Sequence, residues 1–565
     1  MSDSKGPIST ERWCLLICLM LGAVQAWILR YSMISDGISY LDIGDAYFRG
    51  DWNSAINAYW SPVYSWCLGL ALYLFKPSIW WEFVTVHAVN LVIYVGSLFC
   101  YRFFLHSVLR SLREEQSSDT TDTTGSVPLA ESALLILGYS LFLWCSLVLI
   151  DLGRVTPDML VAGIVFLMAG YLVDLRRHPS YAKFALFGAL AGLAYLAKTI
   201  MFPVGFGFLV VLLFSGRIEK RRIVGILIST AVFLIVCSPF VFALSKAKGR
   251  FTYGDTGRLA YANCVSPGTT QVHWQGEPEG SGTPVHPTRK ILESPPVFEF
   301  GEPIPGTYPP WDDPSYFNEG ERARFDLRSQ IRVLIFSTLA YERFLIREPG
   351  LLAGVLVLVY IGGRATLRAI AGNWPLLAAG GLSLSAYALV LVLDRYIAAS
   401  MVLLFVALLA GIRLPRDSMH ESVAKYVTAA VALSVFLTVA VHGAEKAYTI
   451  LTVGPEPSAK DQVRTAVGLR DMGLPAGGKV AVIGYGLVNH WARLGHFRIV
   501  AEAPAPGPNL REFWASSAQA RNLAYESLKG TGAQAVVAWQ PPKNALDPRW
   551  KKISSTDYYV YFFQK

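Results

Sequence analysis

The chain has 565 residues, of which 53% are hydrophobic and 16% charged, and its mean hydropathy is +0.39. A soluble multidomain protein carries nearer a quarter charged residues, so the composition excludes that class and points to a polytopic membrane protein. The formal net charge of +9 then marks membrane-flanking loops rather than a nucleic-acid surface, because excess Lys and Arg gathers on the cytoplasmic side of such proteins.

The N-terminal polar lead is followed by an apolar run without a small-residue cleavage site, which predicts an uncleaved first span near 13–33. Directly after it comes Ser35-Asp36-Gly37-Ile38-Ser39-Tyr40-Leu41-Asp42-Ile43-Gly44-Asp45. Three carboxylates where a membrane helix ends in water are more than anchoring requires, so the stretch reads as an active-site edge. A helix starting at Gly37 would make Asp36 its N-cap and set Asp42 and Asp45 on one face. The plainer reading is a capped juxtamembrane helix with a solvated acidic side.

Apolar runs of roughly 17 to 25 residues predict about eleven spans. They lie near 13–33, 82–105, 132–150, 157–174, 182–198, 201–215, 223–244, 345–363, 375–393, 396–413 and 425–442. The run Pro62 to Phe75 is expected to be re-entrant or interfacial, because only then do Arg110 and Arg113, Arg176 and Arg177, Arg217 with Lys220, Arg221 and Arg222, Arg364 and Arg368, and Arg413 and Arg416 share one side. That side is the cytoplasm by the positive-inside rule, with the N-terminus inside and the C-terminal region outside. The tract Arg113 to Gly125 is polar and reads as a flexible cytoplasmic loop.

On the outer side the same assignment gathers Asp36 to Trp60, Asp151 to Asp158, Lys198-Thr199, the long loop Lys246 to Glu342 and Asp394-Arg395-Tyr396. The long loop is rich in Pro and Gly but also in aromatic residues, which argues for a packed cap. Residues 1–445, this loop included, form the expected membrane module. From 455 to 565 charges return, and the pattern predicts a small extracytoplasmic α/β domain with strands at Lys479–Gly484, Arg498–Ala503, Ala533–Trp539 and Tyr558–Phe563 and helices at Gln462–Met472 and Leu510–Leu528. The expected fold class is thus mostly α: a transmembrane bundle with an appended α/β domain. Six cysteines (Cys14, Cys18, Cys67, Cys100, Cys145, Cys237) lie in apolar segments and Cys264 in the long loop, so no disulfide framework is implied.

Asp36 to Tyr40, the Pro-aromatic opening Ser61-Pro62-Val63-Tyr64 and Thr156-Pro157-Asp158 together resemble the GT-C membrane glycosyltransferases, the class of protein O-mannosyltransferases and aminoarabinose transferases. The resemblance covers roughly residues 10 to 415 and implies a polyprenyl-phosphate sugar donor and a lipid, glycan or protein acceptor at the outer face of a bacterial inner membrane, with inverting transfer. It implies Asp36 and Asp158 as catalytic carboxylates, Asp36 as the base with Asp42 and Asp45 as alternates, Arg395 and Tyr396 at the donor phosphate, and Tyr40 and Tyr64 against substrate. Lys198, an ammonium interrupting the apolar run Gly188 to Val211, is assigned to the same phosphate. Gly37 and Ser61 stand where many members carry an acidic residue and a His or Lys, so a divalent metal cofactor is left open. Independently of the family, such a transfer needs a base for the acceptor hydroxyl and cations for the departing phosphate, but no nucleotide.

Each assignment has a plainer alternative. Asp158 after Pro157 suits a helix N-terminus, Lys198 could snorkel, and Arg395 could pair with Asp394. His273 and His286 lack carboxylates at ligand spacing and read as plain surface histidines. Val480-Ala481-Val482-Ile483-Gly484-Tyr485-Gly486 resembles a dinucleotide fingerprint but lacks its third Gly, so it reads as a tight strand-to-helix turn in a packing or acceptor-docking role. A transporter or flippase of a lipid-linked saccharide is the runner-up function. It would set ionisable groups at the midplane of broken helices, whereas these carboxylates sit at span ends, and no internal repeat is visible. A non-catalytic envelope assembly protein is the third.

Overall fold

The long apolar runs fold as helices because only helical backbone satisfies its own hydrogen bonds in lipid. The computed structural model describes residues 6–118, 126–266, 273–451, 458–504 and 513–563, except positions 287, 303, 305, 314, 315 and 317. Its main helices are α1 (Gly6–Ile28), α2 (Ser35–Arg49), α3 (Pro62–Phe75), α4 (Glu82–Ser118), α5 (Glu131–Leu143), α6 (Asp158–Arg177), α7 (Tyr181–Ala197), α8 (Met201–Phe214) and α9 (Lys220–Lys248). There follow α10 (Leu327–Ile346), α11 (Pro349–Gly372), α12 (Trp374–Ala388), α13 (Asp394–Ala410), α14 (Ser418–Leu451), α15 (Ala459–Asp471) and α16 (Ala518–Gly530).

Among the described residues seven helices are long and apolar enough to cross a membrane: α1, α4, α5 with its π-helical continuation to Ile150, α6, α9, α11 and α14. The apolar helices α3, α7 and α8 are shorter. Leu227, Ile235 and Phe242, at helical spacing on α9, are 63%, 68% and 72% exposed, the mark of a face turned to lipid rather than to protein.

The strands are β1 (Ser126–Pro128), β2 (Thr288–Leu292), β3 (Val297–Phe300), β4 (Arg413–Pro415), β5 (Lys479–Ile483), β6 (Arg498–Ala503), β7 (Ala535–Trp539), β8 (Lys551–Lys552) and β9 (Tyr558–Phe562). β1 and β4 pair as a short antiparallel ribbon. The other seven form one sheet in the order β2-β3-β6-β5-β7-β9-β8, parallel at β6-β5-β7 and antiparallel elsewhere. Alternate residues of its strands enter different cores. Val480, Val482, Ile499 and Val537 share one with Leu41, Ile43, Tyr64 and Leu68 of the juxtamembrane helices, while Ala481, Ile483, Val500 and Val536 pack with Tyr525 and Leu528 of α16.

α2 is held against α3 by a glycine-on-glycine crossing. A methyl group on Gly44 would lie 2.7 Å from the Ser65 carbonyl oxygen, and one on Gly69 would lie 2.7 Å from the Gly44 carbonyl oxygen, so larger residues would push the two helices apart.

The structure departs from the sequence expectations at several places. α2 starts at Ser35 with Ile34, in extended backbone, as its N-cap, and the Ser35 hydroxyl is used in donating to the Leu487 carbonyl of the C-terminal region (2.5 Å); Asp36 is a first-turn residue, not the cap. The polar tract expected to be a loop from Arg113 is helical to Ser118, steadied by ion pairs of Glu114 with Arg177 and of Arg113 with Glu131; 119–125 lie outside the described residues. The long outer loop ends early in α10, where Gln330, Ser337 and Tyr341 donate to the carbonyls of Leu389, Ala388 and Leu384. The expected span 345–363 is broken at Arg347–Glu348 and runs on as α11, with non-helical backbone at Gly363. Of the helix expected at Leu510–Leu528, positions 510–512 lie outside the described residues; 513–515 are helical, the helix breaks at Ser516 and Ser517, and α16 starts at Ala518, where Ser517 caps it. The hairpin β2–β3 comes from the long loop yet pairs with β6, so loop and C-terminal region share one sheet.

Candidate active site

Four helix ends meet at one point beneath the C-terminal sheet. Asp36 occupies the first turn of α2 and Asp158 opens α6, positions where the helix dipole favours a carboxylate. Lys198 is the extended residue that ends α7, and Arg395 is the second residue of α13. Gly37 allows the first two ends to approach, since a methyl group there would lie 2.7 Å from Cβ of Val155.

The four charged side chains form one connected cluster. Arg395 Nη2 donates to Asp36 Oδ2 at 2.9 Å, and its Nε stands 3.6 Å from Asp158 Oδ2. Lys198 Nζ donates to Asp158 Oδ1 at 2.5 Å and sits 3.6 Å above the centre of the Tyr396 ring. Tyr396 stacks on Tyr387 with centroids 5.1 Å apart. The Asp158 side chain is only 4% exposed, so its charge depends on these two cations. Lys198 is therefore paired rather than snorkelling. Asp394 takes a different partner, Arg154, at 3.1 Å, which leaves the Arg395 guanidinium free to reach across to α2.

Tyr40 and Tyr64 form the apolar wall beside the cluster. The Tyr40 ring meets Trp60 and Tyr64 edge-on at 5.0 and 5.1 Å. Burial, then the charges of Asp36 and Asp158, push the Tyr40 phenol well above its ordinary range, so it stays protonated. The Tyr64 hydroxyl is engaged elsewhere, donating to Asn90 Oδ1 at 2.6 Å.

Asp42 and Asp45 are not brought to this point. Both meet Arg493 Nη1 at 2.7 Å, and Asp42 also accepts from the Thr307 backbone N–H and hydroxyl at 2.6 and 3.0 Å. Arg154 and Arg493 had no motif to announce them; the only sequence signal for Arg154 was its place in the short polar break before Thr156.

His273 and His286 are not the surface histidines expected, because each is drawn inward by a different partner: His273, its side chain 9% exposed, pairs with the buried Glu502, and the buried His286 meets the Trp274 carbonyl through Nε2 at 2.8 Å. Glu502 also accepts from the Tyr308 hydroxyl at 2.7 Å and the Gly486 backbone N–H at 2.9 Å. The amide that a dinucleotide phosphate would use in the Gly-rich turn is thus filled by a carboxylate of the chain itself. Among the described residues no group of three or more His, Cys, Asp or Glu is arranged to hold a metal ion. At the cluster, Asp36 and Asp158 are both paired with cations, a donor set that does not fit a divalent ion.

No family model and no curated protein matches the chain. Among solved structures it is similar to ArnT from Cupriavidus metallidurans bound to undecaprenyl phosphate, at 12% identity over 97% of each chain with a TM-score of 0.53. It is also similar to the oligosaccharyltransferase of Archaeoglobus fulgidus tethered with an acceptor peptide, at 11% identity over 93% of this chain and 68% of that one, with a TM-score of 0.50. Both are GT-C glycosyltransferases. With its apolar helices and C-terminal sheet, the chain is a multi-pass membrane protein with a GT-C-like fold.

Proposed function

We propose that the chain transfers a sugar from a polyprenyl-phosphate-linked donor to an acceptor hydroxyl at the outer face of a bacterial cytoplasmic membrane. The observation that carries this reading is the convergence of Asp36, Asp158, Lys198 and Arg395 from four helix ends. The presence of undecaprenyl phosphate in the ArnT structure it resembles supports a donor of that class.

In the transfer, Asp36 accepts the proton of the acceptor hydroxyl as its oxygen attacks the anomeric carbon. The bond from that carbon to the phosphate oxygen breaks, and its electron pair leaves with the lipid phosphate, which gains a negative charge. Direct displacement of this kind inverts the anomeric centre. Lys198 and Arg395 stabilise the departing phosphate, Arg395 through its planar fork and Lys198 as a point charge. Asp158 holds both cations in place, and Tyr396 orients Lys198 through its ring. Tyr40 and Tyr64 line the sugar side. No step is routed through a divalent metal, because both carboxylates are already neutralised by cations. The acceptor is a lipid, glycan or protein hydroxyl.

Mass spectrometry of lipid co-purified with the protein tests the donor class. Polyprenyl phosphate, or its sugar conjugate, is expected with the wild type and should be depleted in the Lys198→Ala/Arg395→Ala double variant. Equal recovery from both would remove the phosphate site from this cluster.

A further inference from the structure

At the other end of the bundle lies a cavity of about 610 Å³, within the roughly 300–1,000 Å³ usual for small-molecule sites. α6 shows the separation: Asp158 at its first residue belongs to the charge cluster, and Arg176 and Arg177 at its last two line the cavity. The helix has 20 residues, so the two sites are about 30 Å apart along its axis. α8 and α13 likewise start beside the cluster and end at the cavity, which takes Ser215 after α8 and Ala410 at the end of α13.

Six arginines line the space: Arg176, Arg177, Arg217, Arg221, Arg222 and Arg368, against two glutamates, Glu115 and Glu219. Three of the six are used by the fold. Arg222 donates to the Leu212 carbonyl at 2.8 Å and the Leu175 carbonyl at 3.2 Å, closing the ends of α8 and α6. Arg176 donates to the Gly372 carbonyl at 2.9 Å, and Arg177 stands 3.8 Å from Glu114. Glu115 is itself paired with Arg413 at 3.4 Å. Arg217, Arg221 and Arg368 have no carboxylate partner among the described residues. The tendency of basic residues to gather at one membrane face accounts for arginines at this end. It does not account for six converging on one concavity, where each raises the cost of the next.

We propose that this cavity binds the phosphate of an anionic phospholipid headgroup in the membrane leaflet opposite the charge cluster. Arginine forks recognise phosphate oxygens in pairs, and basic pockets between transmembrane helices are sites for such headgroups. The rim favours a lipid over a free anion: Ile218, Ile223, Leu367 and Trp374, each next in sequence to a lining residue, are exposed apolar side chains. An acyl chain leaving the cavity would lie along them, and Trp suits the boundary between headgroup and hydrocarbon.

The test uses the full-length protein in neutral detergent, titrated with phosphatidylglycerol, phosphatidylcholine or inorganic phosphate, and read by native mass spectrometry and by thermal unfolding. The wild type is expected to retain one phosphatidylglycerol and to unfold at higher temperature in its presence, with little response to phosphatidylcholine. Each arginine near an anionic head strengthens binding roughly fivefold, so Arg217→Ala/Arg221→Ala/Arg368→Ala should weaken it about a hundredfold. The single variant Arg368→Gln, which keeps length and polarity, should weaken it about fivefold and serves if the triple variant does not accumulate. Lys551→Ala, exposed on strand β8 of the C-terminal sheet, should bind phosphatidylglycerol like the wild type. Equal binding of phosphatidylcholine, or undiminished phosphatidylglycerol binding by Arg368→Gln and the triple variant, would overturn the proposal. Protection by millimolar inorganic phosphate equal to that by phosphatidylglycerol would assign the site to a soluble anion and overturn the lipid.

Discussion

Arg493 and Asp42 are 451 positions apart in the chain, yet Arg493 Nη1 lies 2.7 Å from Asp42 Oδ1. The same guanidinium reaches Asp45 at 2.7 Å and, through Nε, Glu82 at 2.8 Å. One side chain of the C-terminal region, 4% exposed, thus ties together α2 and the start of α4. Burial opposes its charge, but Glu82, Asp45 and Asp42 hold it protonated. Because α2 carries Asp36 two turns upstream, this clamp fixes the position of the candidate base.

Removing the clamp should therefore be costly. Arg493→Ala removes the cation shared by the buried Asp42 and Glu82 and by Asp45, and breaking such a network typically costs about 3–5 kcal/mol. The expected result is a markedly lower unfolding temperature together with reduced transfer. Arg493→Lys should recover part of the stability, since a point charge cannot serve three carboxylates from one plane. Wild-type unfolding in Arg493→Ala would show that the C-terminal region is not anchored through this residue.

The helices and the strands of the C-terminal region were legible because each has its own periodicity, and Val480–Ile483 alternate between two cores as a strand should. The convergence of Asp36, Asp158, Lys198 and Arg395 was legible only as far as one-sidedness: loop charges gathered them at one end without distances. Asp42 and Asp45 looked equivalent to Asp36 because their actual partner is Arg493, which no local pattern links to them. The β2–β3 hairpin was hidden for the same reason. Its edge pairs with Ala501 and Glu502, some 200 residues on, and strand pairing over such distances leaves no trace in one sequence. The arginine cavity was visible only as scattered positive loops.

The two cations at the cluster should differ in how they tolerate replacement. Lys198→Ala and Arg395→Ala are each expected to weaken donor use, and Arg395→Lys should restore only part of it, because Arg395 spans Asp36 and Asp158 with two edges of its fork. Donor titrations of transfer rate provide the check. Unchanged donor dependence in both alanine variants would separate the cluster from the phosphate.

Acid should weaken the C-terminal region through His490. Burial pushes its imidazole down to about 4 from the ordinary 6.5, and its Nε2 has no partner among the described residues. Above pH 6.5 the ring is neutral in both folded and unfolded chains. Below that the unfolded chain takes a proton that the folded one refuses, so stability falls as pH drops from 6.5 towards 4, by up to about 1.4 kcal/mol per unit. His490→Gln should flatten this dependence while leaving the neutral-pH unfolding temperature close to wild type. An identical acid response in both proteins would assign the sensitivity to other groups.

The topology can be read with thiol reagents that do not cross membranes. Ser117, near the end of α4, and Glu526, on α16, are both exposed. In a Cys264→Ser background, Glu526→Cys should react in spheroplasts and Ser117→Cys only after lysis. The reverse pattern would invert the bundle and move the charge cluster to the cytoplasmic face.

Asp36→Asn is the sharpest test of the chemistry. Asn keeps the size of Asp and an oxygen that can accept the hydrogen bond from Arg395, now 2.9 Å long, so the end of α2 should stay in place. What Asn cannot do is take the proton of the acceptor hydroxyl, and general-base help of that kind is worth roughly 10² to 10⁴ in rate. The expected variant accumulates in the membrane, unfolds at the wild-type temperature and retains donor lipid, but transfers sugar slower by that factor. Asp42→Asn should behave oppositely. It weakens the contacts to Arg493 and Thr307, so its unfolding temperature drops, while any loss of transfer follows the loss of folded protein. Full activity in Asp36→Asn would return Asp36 to a purely electrostatic role opposite Arg395 and make Asp158, the other carboxylate of the cluster, the candidate base.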